Sequence, residues 1–433
     1  MPETHPHIAA SILPCGLTVS AVQRPESPTL AAALVYGVGR RSESKAELGL
    51  THLCEHLAFG GQNAALVEEI LTEGGAVNGE VGFETTHYAI SCHRDLTDSA
   101  LACLAGMVCP EAVDATALAA EAKICGHELR AGAGDAAEGF GSLTKEQLRV
   151  LGAVNWRANV RAEVRRFGRL TPAVVERYRR EHFAPQRASL ALAGPQPRGE
   201  LIERFASTLA SRPLEDATPL LAGRTELPTA PVGRVMVQGG AYARIDVWWI
   251  APELAIADRL AADIAACALS GGPKSGLFGA LRTEAAMAYH VDAAPWDSNE
   301  DSGVRSVAIV PARDVLRAVE VVLSQADALR SGPTEDSLER IKRRLIRQVE
   351  RCFEWPGYAA NWLAYEHLRP ELTRLPIAQD YIAGLLAMTL GEVNARLAVL
   401  LAPDRRYAFV MGGVPITKRR ALRKRILAGG GRS

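Results

Sequence analysis

This chain of 433 residues has no charge bias, since 49 lysines and arginines offset 49 aspartates and glutamates. A balanced surface carries no global field to draw it onto nucleic acid or an anionic membrane, so recognition has to be local. Its eight cysteines include no CxxC pair and no dense short framework, which excludes a disulfide-stapled secreted domain and points to a reducing compartment. No stretch reaches about 18 consecutive uncharged apolar residues, the length a membrane helix needs. The opening MPETHPHIAASILPCG has an early acid and two prolines in place of a basic segment running into an apolar one, unlike a signal or transit peptide. A soluble, cytoplasmic protein is the expectation.

What is present is the composition of an ordinary globular protein, with 48% hydrophobic and 23% charged residues. The length exceeds what one hydrophobic core serves, so two domains are expected. Leu17 to Val22 and Leu30 to Tyr36 read as strands, and Leu48 to Phe59 as a helix stopped by Gly60 and Gly61. The segment AVNGEVGFETTHYAISC, residues 76–92, reads as two strands joined through the region from Gly79 to Gly82. Ala115 to Arg130 reads as a second helix, ended by Gly132 and Gly134, and Ser189 to Ala193 as a strand.

Pro213, Pro219, Pro228 and Pro231 fall in a stretch without periodicity that reads as a linker. Beyond it Ile245, Val247 and Trp249 line one face of a strand. Leu338, Ile341, Leu345, Val349 and Cys352 line one face of a helix opened by Thr334. The expected architecture is α+β: residues 1–212 and 232–433 as two related mixed domains, joined by 213–231. The similar order of elements in the halves suggests a duplication.

In THLCEHLAFGG, His52 and His56 are four residues apart and share one side of a helix, so two imidazoles can chelate one metal. Glu55 lies between them and can act on a metal-bound water in place of the metal. The order is HxxEH, the inverse of HExxH. A catalytic zinc takes three protein ligands and keeps one open position, so a third ligand must come from elsewhere. In AAEAKICGHELRA, Glu121 and Glu128 are seven residues apart on one helix face, and one can ligate while the other orients. Zinc held there lowers the pKa of its water to about 7, and Glu55 is placed to take the proton as a peptide carbonyl is attacked.

Several segments resemble the pitrilysin or insulinase family of inverzincin metallopeptidases, in particular mitochondrial processing peptidase and its small bacterial relatives. They are GVGRRSESKAELGLTHLCEHLAFGG, VNGEVGFETTHY, EAKICGHELR and LSGGPKSGLFGALRTEAAMAYHVDAA, and the resemblance runs from about Leu17 to Gly412. It implies His52, His56 and Glu128 as zinc ligands, Glu55 as general base and Glu121 as an auxiliary carboxylate. It also implies that Arg282 and Tyr289 hold substrate and the developing oxyanion from the opposite half of a clamshell chamber. Each chain then forms half of the chamber, as a homodimer or as a heterodimer with a related subunit, and cleaves peptides or unfolded segments.

The resemblance also implies an edge strand at Asn78 and Gly79 that pairs with the substrate backbone. Three features depart from the family pattern. Cys54 stands where an aliphatic residue is common, Gly79 stands where alanine is usual, and the His56 to Glu128 spacing is slightly short.

Other features have plainer readings. Glu181-His182 and Glu366-His367 lack a histidine four residues earlier and read as structural, and His127 points away from the Glu128 side of its helix. Cys103 and Cys109 read as small packing residues. The six basic residues from Lys418 to Arg425 read as a solvated terminal helix. The alternative to an enzyme is an inactive or accessory subunit of a hetero-oligomeric peptidase, a role that intact HxxEH and glutamate positions argue against.

Overall fold

A computed structural model describes residues 8–44, 46–82, 84–135, 160–211, 232–237, 240–251, 255–297, 302–369, 374–375, 377 and beyond to 427. The chain divides into two compact units, residues 1–149, 153–223 and 351–377 in the first, and 150–152, 224–350 and 378–433 in the second.

The first unit is built on a six-stranded sheet ordered β1-β2-β6-β3-β5-β4. Its strands are β1 (Ile8–Ile12), β2 (Thr18–Gln23), β3 (Thr29–Tyr36), β4 (Ala76–Val81), β5 (Thr86–His93) and β6 (Ala188–Gly194). Only β2 and β6 run parallel; the other neighbours are antiparallel. β3 and β6 read as almost unbroken apolar runs because both faces of the sheet are covered. Leu30, Leu34 and Tyr36 face a core shared with helices Thr97–Val108 and Arg198–Ala210. On the other face Ala33, Val35, Ala191 and Ala193 meet Ala360, Leu363 and Ala364 of helix Pro356–His367, whose approach the small alanines permit.

That helix corrects the linear division of the chain. It follows the second half in sequence yet packs on the first sheet, because the sheet's alanine-rich face has to be covered. The expected linker, 213–231, lies outside the described residues.

The second unit holds a five-stranded sheet ordered β7-β11-β8-β10-β9. Its strands are β7 (Val232–Val237), β8 (Tyr242–Ala251), β9 (His290–Asp297), β10 (Ser302–Pro311) and β11 (Arg406–Gly412). Ile245, Val247 and Trp249 are buried on one face of β8, as their alternation predicts. Helix Glu335–Phe353 starts after Thr334, whose hydroxyl accepts from the Ser337 N–H, and buries Leu338, Leu345 and Val349. The basic run forms helix Ile416–Leu427, which buries Leu422 and Ile426.

Read in chain order, β2-β6-β3-β5-β4 and β7-β11-β8-β10-β9 are the same arrangement, each with its single parallel pair between its first and last strands. The expected duplication is thus visible as topology.

Three boundaries differ from expectation. The strands of the 76–92 hairpin pair out to Val81 opposite Thr86, and Gly79 sits inside β4 opposite Tyr88. The second helix runs through Gly132 and Gly134 to Asp135, since an isolated glycine weakens a helix by only about 1 kcal/mol. The first helix is Leu50–Leu57, started by Gly49 in the left-handed region at φ 90°. Among the described residues no single helix is long and apolar enough to cross a membrane.

Candidate metal centre

Helix Leu50–Leu57 is anchored by its apolar stripe. Leu50, Leu53 and Cys54 are buried against Leu118, Cys125, Phe167, Val175 and Tyr178, and Leu57 packs at the margin. This i, i+3, i+4, i+7 pattern turns the adjoining face, with His52, Glu55 and His56, away from the core. Two further contacts fix the start of the helix. The buried Glu43 carboxylate accepts the Gly49 N–H at 3.0 Å and the Thr51 N–H at 2.9 Å, satisfying donors that a helix N-terminus leaves open. The Thr51 hydroxyl lies 2.7 Å from the Tyr178 hydroxyl.

Helix Ala115–Asp135 packs against this helix and inserts Leu118, Ala122 and Cys125 into the same cluster. Its Glu121 and Glu128 thereby meet the histidine pair. The His52 and His56 Nε2 atoms each lie 3.3 Å from the same oxygen, Glu128 Oε2. His56 Nδ1 is 3.1 Å from Glu121 Oε2, the kind of carboxylate contact that orients a metal-ligating imidazole. Glu55 Oε2 is 3.8 Å from His56 Nε2.

Zinc fits this donor set. Ligands held 2.0–2.2 Å from a tetrahedral zinc are separated from one another by about 3.4 Å, which the two nitrogen-to-carboxylate distances of 3.3 Å match. Burial, reinforced by the neighbouring His56, lowers the His52 pKa to about 4, so its imidazole is the neutral, ligating form at pH 7. Burial raises Glu55 to about 6, opposed by His56 and aided by Glu128 and Glu121. A carboxylate tuned this way is suited to exchanging a proton near neutrality.

The spacing-based reading therefore places His52, Glu55, His56, Glu121 and Glu128 in one cluster. It missed Cys125, whose sulfur lies within 4.8 Å of ligand atoms of both histidines. The signal was available: Cys125 stands four residues after Glu121 and three before Glu128, on the same helix face. Burial pushes its thiol up to about 12, and it packs beneath the centre as a protonated group. Cys54 is likewise buried, its thiol raised to about 11, so its departure from an aliphatic residue leaves an apolar packing position. His127 is exposed.

Gly79 touches the centre in a way the sequence did not reveal. A Cβ placed there would stand 2.0 Å from Glu55 Oε1 and 2.8 Å from Phe59. Asn78 and Gly79 belong to β4, at one edge of the first sheet.

In the second unit, Arg282 lies on a wide helical turn, Phe278–Glu284, that precedes β9. Its guanidinium donates to the Tyr289 carbonyl at 2.8 Å. Ala286, between them, has φ 50°, unusual for a residue other than glycine. The Tyr289 side chain is 69% exposed. β9 holds the same edge position in its sheet that β4 holds in the first.

Fold and centre together define a protein of two mixed α+β domains with an HxxEH-type candidate metal centre on the first. Comparison with known proteins takes this to a family. The family model described as Insulinase (Peptidase family M16) matches residues 18–133, and the one described as Peptidase M16 inactive domain matches residues 169–345. An uncharacterized zinc protease of Rickettsia bellii is 24% identical over 381 residues, covering 80% of this chain and 84% of that one.

Two solved structures share the fold. A protease from Helicobacter pylori matches with a TM-score of 0.80 at 16% identity, over 95% of this chain and 100% of that one. The periplasmic protease PqqL from Escherichia coli matches with a TM-score of 0.72 at 17% identity, over 96% of this chain but only 46% of that one. The chain belongs to the pitrilysin/insulinase family, M16. His52, Glu55, His56, Glu121 and Glu128 all fall in the segment matched by the first family model, and Arg282 and Tyr289 in that matched by the second.

Proposed function

We propose that this protein is a zinc-dependent endopeptidase acting on peptides or unfolded segments, with the HxxEH centre as its catalytic site. The carrying observation is the convergence of both His Nε2 atoms on one Glu128 oxygen at 3.3 Å, with Glu55 beside them. In this reading His52, His56 and Glu128 hold the metal, and Glu121 orients His56 through Nδ1. Bound zinc supplies Lewis-acid polarisation and an acidified water. Glu55 accepts the proton released on attack at the peptide carbonyl and delivers it to the departing amine. β4, the edge strand of its sheet among the described residues, offers backbone groups at Asn78 and Gly79 to an extended substrate.

Arg282 and Tyr289 are donors suited to the oxyanion and the substrate chain. This chain covers 46% of PqqL, which supports the view that it forms half of a chamber completed by a second copy, with a related subunit as the alternative partner. All eight cysteines are free thiols, in keeping with a cytoplasmic setting.

The test pairs two variants, assayed for zinc content and for hydrolysis of an unstructured peptide. Glu55→Gln is expected to keep zinc and lose at least about 100-fold in rate, whereas His52→Ala loses both zinc and hydrolysis. Wild-type protein free of zinc and without hydrolysis would favour the accessory-subunit reading instead. Sedimentation is expected to give a dimer, and a fully active monomer would overturn the composite chamber.

A further inference from the structure

The chain contains two Glu-His pairs that end helices beginning with proline, and their environments differ. In helix Pro356–His367 the pair is satisfied: His367 Nδ1 lies 2.9 Å from the Leu363 carbonyl, and Glu366 accepts the Leu375 N–H at 2.6 Å. In helix Pro172–His182 it is not. His182 is 5% exposed, and neither ring nitrogen has a hydrogen-bond partner among the described residues. A buried imidazole left in this state is costly unless something absent from the protein atoms completes it.

What faces this imidazole is acidic. Its Nε2 is 4.0 Å from Glu47 Oε1, too long for a hydrogen bond, and ligand atoms of Glu47, Glu181 and His182 all lie within 4.8 Å of one another. Glu47 is held in place by its other oxygen, which accepts the Ser44 N–H at 2.9 Å. Burial, the largest influence, keeps the His182 pKa below its ordinary value despite both glutamates, with Arg187 acting in the same direction as burial. The ring is thus the neutral form that a metal takes. We propose that Glu47, Glu181 and His182 form a second divalent-cation site, distinct from the candidate zinc centre, which takes a first-row transition ion such as Zn²⁺.

The chemistry supports that class of ion. Two carboxylates balance a divalent charge, and the imidazole selects against calcium and magnesium. Binding has to draw the three donors together, from within 4.8 Å to about 3.4 Å. Glu181, with a side chain 37% exposed and, among the described residues, a long 4.0 Å contact to Arg177, can make that movement. The site would fasten two elements that flank the histidine helix. Glu47 lies in the turn leading into it, its carbonyl accepting the Leu50 N–H at 2.8 Å. His182 ends the helix that carries Tyr178, whose hydroxyl meets Thr51. The role is structural clamping of the helix that bears His52 and His56.

The test uses the full-length chain carrying His52→Ala and His56→Ala, which removes the first centre, so its result is independent of whether the protein hydrolyses peptides. After chelator treatment, calorimetric titration with Zn²⁺ alone is expected to give one ion per chain and a higher thermal midpoint. Adding Glu181→Gln, a partly exposed change that spares the fold, should weaken this uptake at least about tenfold and abolish the midpoint shift. Glu47→Gln should act alike, with circular dichroism checking that both variants remain folded. No uptake in the parent, or uptake unchanged by both glutamine variants, would overturn the site.

Discussion

At the scale of single residues, the centre depends on a side chain that is missing. Gly79 leaves room for the Glu55 carboxylate to lie against β4, where a Cβ would stand 2.0 Å from Oε1. Gly79→Ala is therefore expected to displace the Glu55 carboxylate, the proposed base, while leaving the histidines and Glu128 untouched. Zinc content should stay at the wild-type level and peptide hydrolysis should fall by about 10- to 100-fold, since a misplacement near 1 Å carries a cost of that order. Equal loss of metal and rate would refute this division of labour. His52, Glu55 and His56 were legible in the sequence because their spacing on one helix is enough to place them side by side. The Gly79 contact was not, because which strand residue abuts which helix residue is decided by tertiary packing. Cys125 lay between, with a readable helical spacing but a role set by the neighbours it is buried among.

Among the elements, helix Leu50–Leu57 is short, and isolated helices of that length do not hold in water. Packing and the Glu43 carboxylate stabilise it, and the latter makes it sensitive to pH. Burial raises Glu43 from 4.5 to about 7, despite the opposing hydrogen bonds from Gly49 and Thr51. The proton binds more tightly in the folded state, so this group's contribution is fully present below about 4.5 and is lost as pH rises through about 7. Urea unfolding should show wild-type stability declining between these limits relative to Glu43→Gln, by on the order of a few kcal/mol. Parallel pH profiles for the two proteins would rule this out. The strands and helices were largely readable from periodicity. Their ends were not: glycines that read as stops at 132 and 134 lie within a helix, and Gly79 lies within a strand.

For the whole molecule, the repeated strand order was visible in outline, while the placement of helix Pro356–His367 was not. Nothing in that helix's own sequence says which sheet it covers; the alanine-rich face awaiting it lies far away along the chain. A fragment of residues 1–212 should consequently expose Ala33, Val35, Ala191 and Ala193, bind hydrophobic dyes and aggregate. Supplying residues 351–377 as a separate peptide should reduce both effects. A monomeric, cooperatively unfolding fragment without that peptide would contradict this assignment.

The late arrival of that covering helix also sets an order of events during synthesis. The strands surrounding the histidine helix leave the ribosome well before the segment that seals their sheet. The lobe carrying the candidate centre therefore remains unfinished until most of the chain has been translated, and under the zinc-peptidase proposal acquisition of the ion would accompany the last stage of assembly.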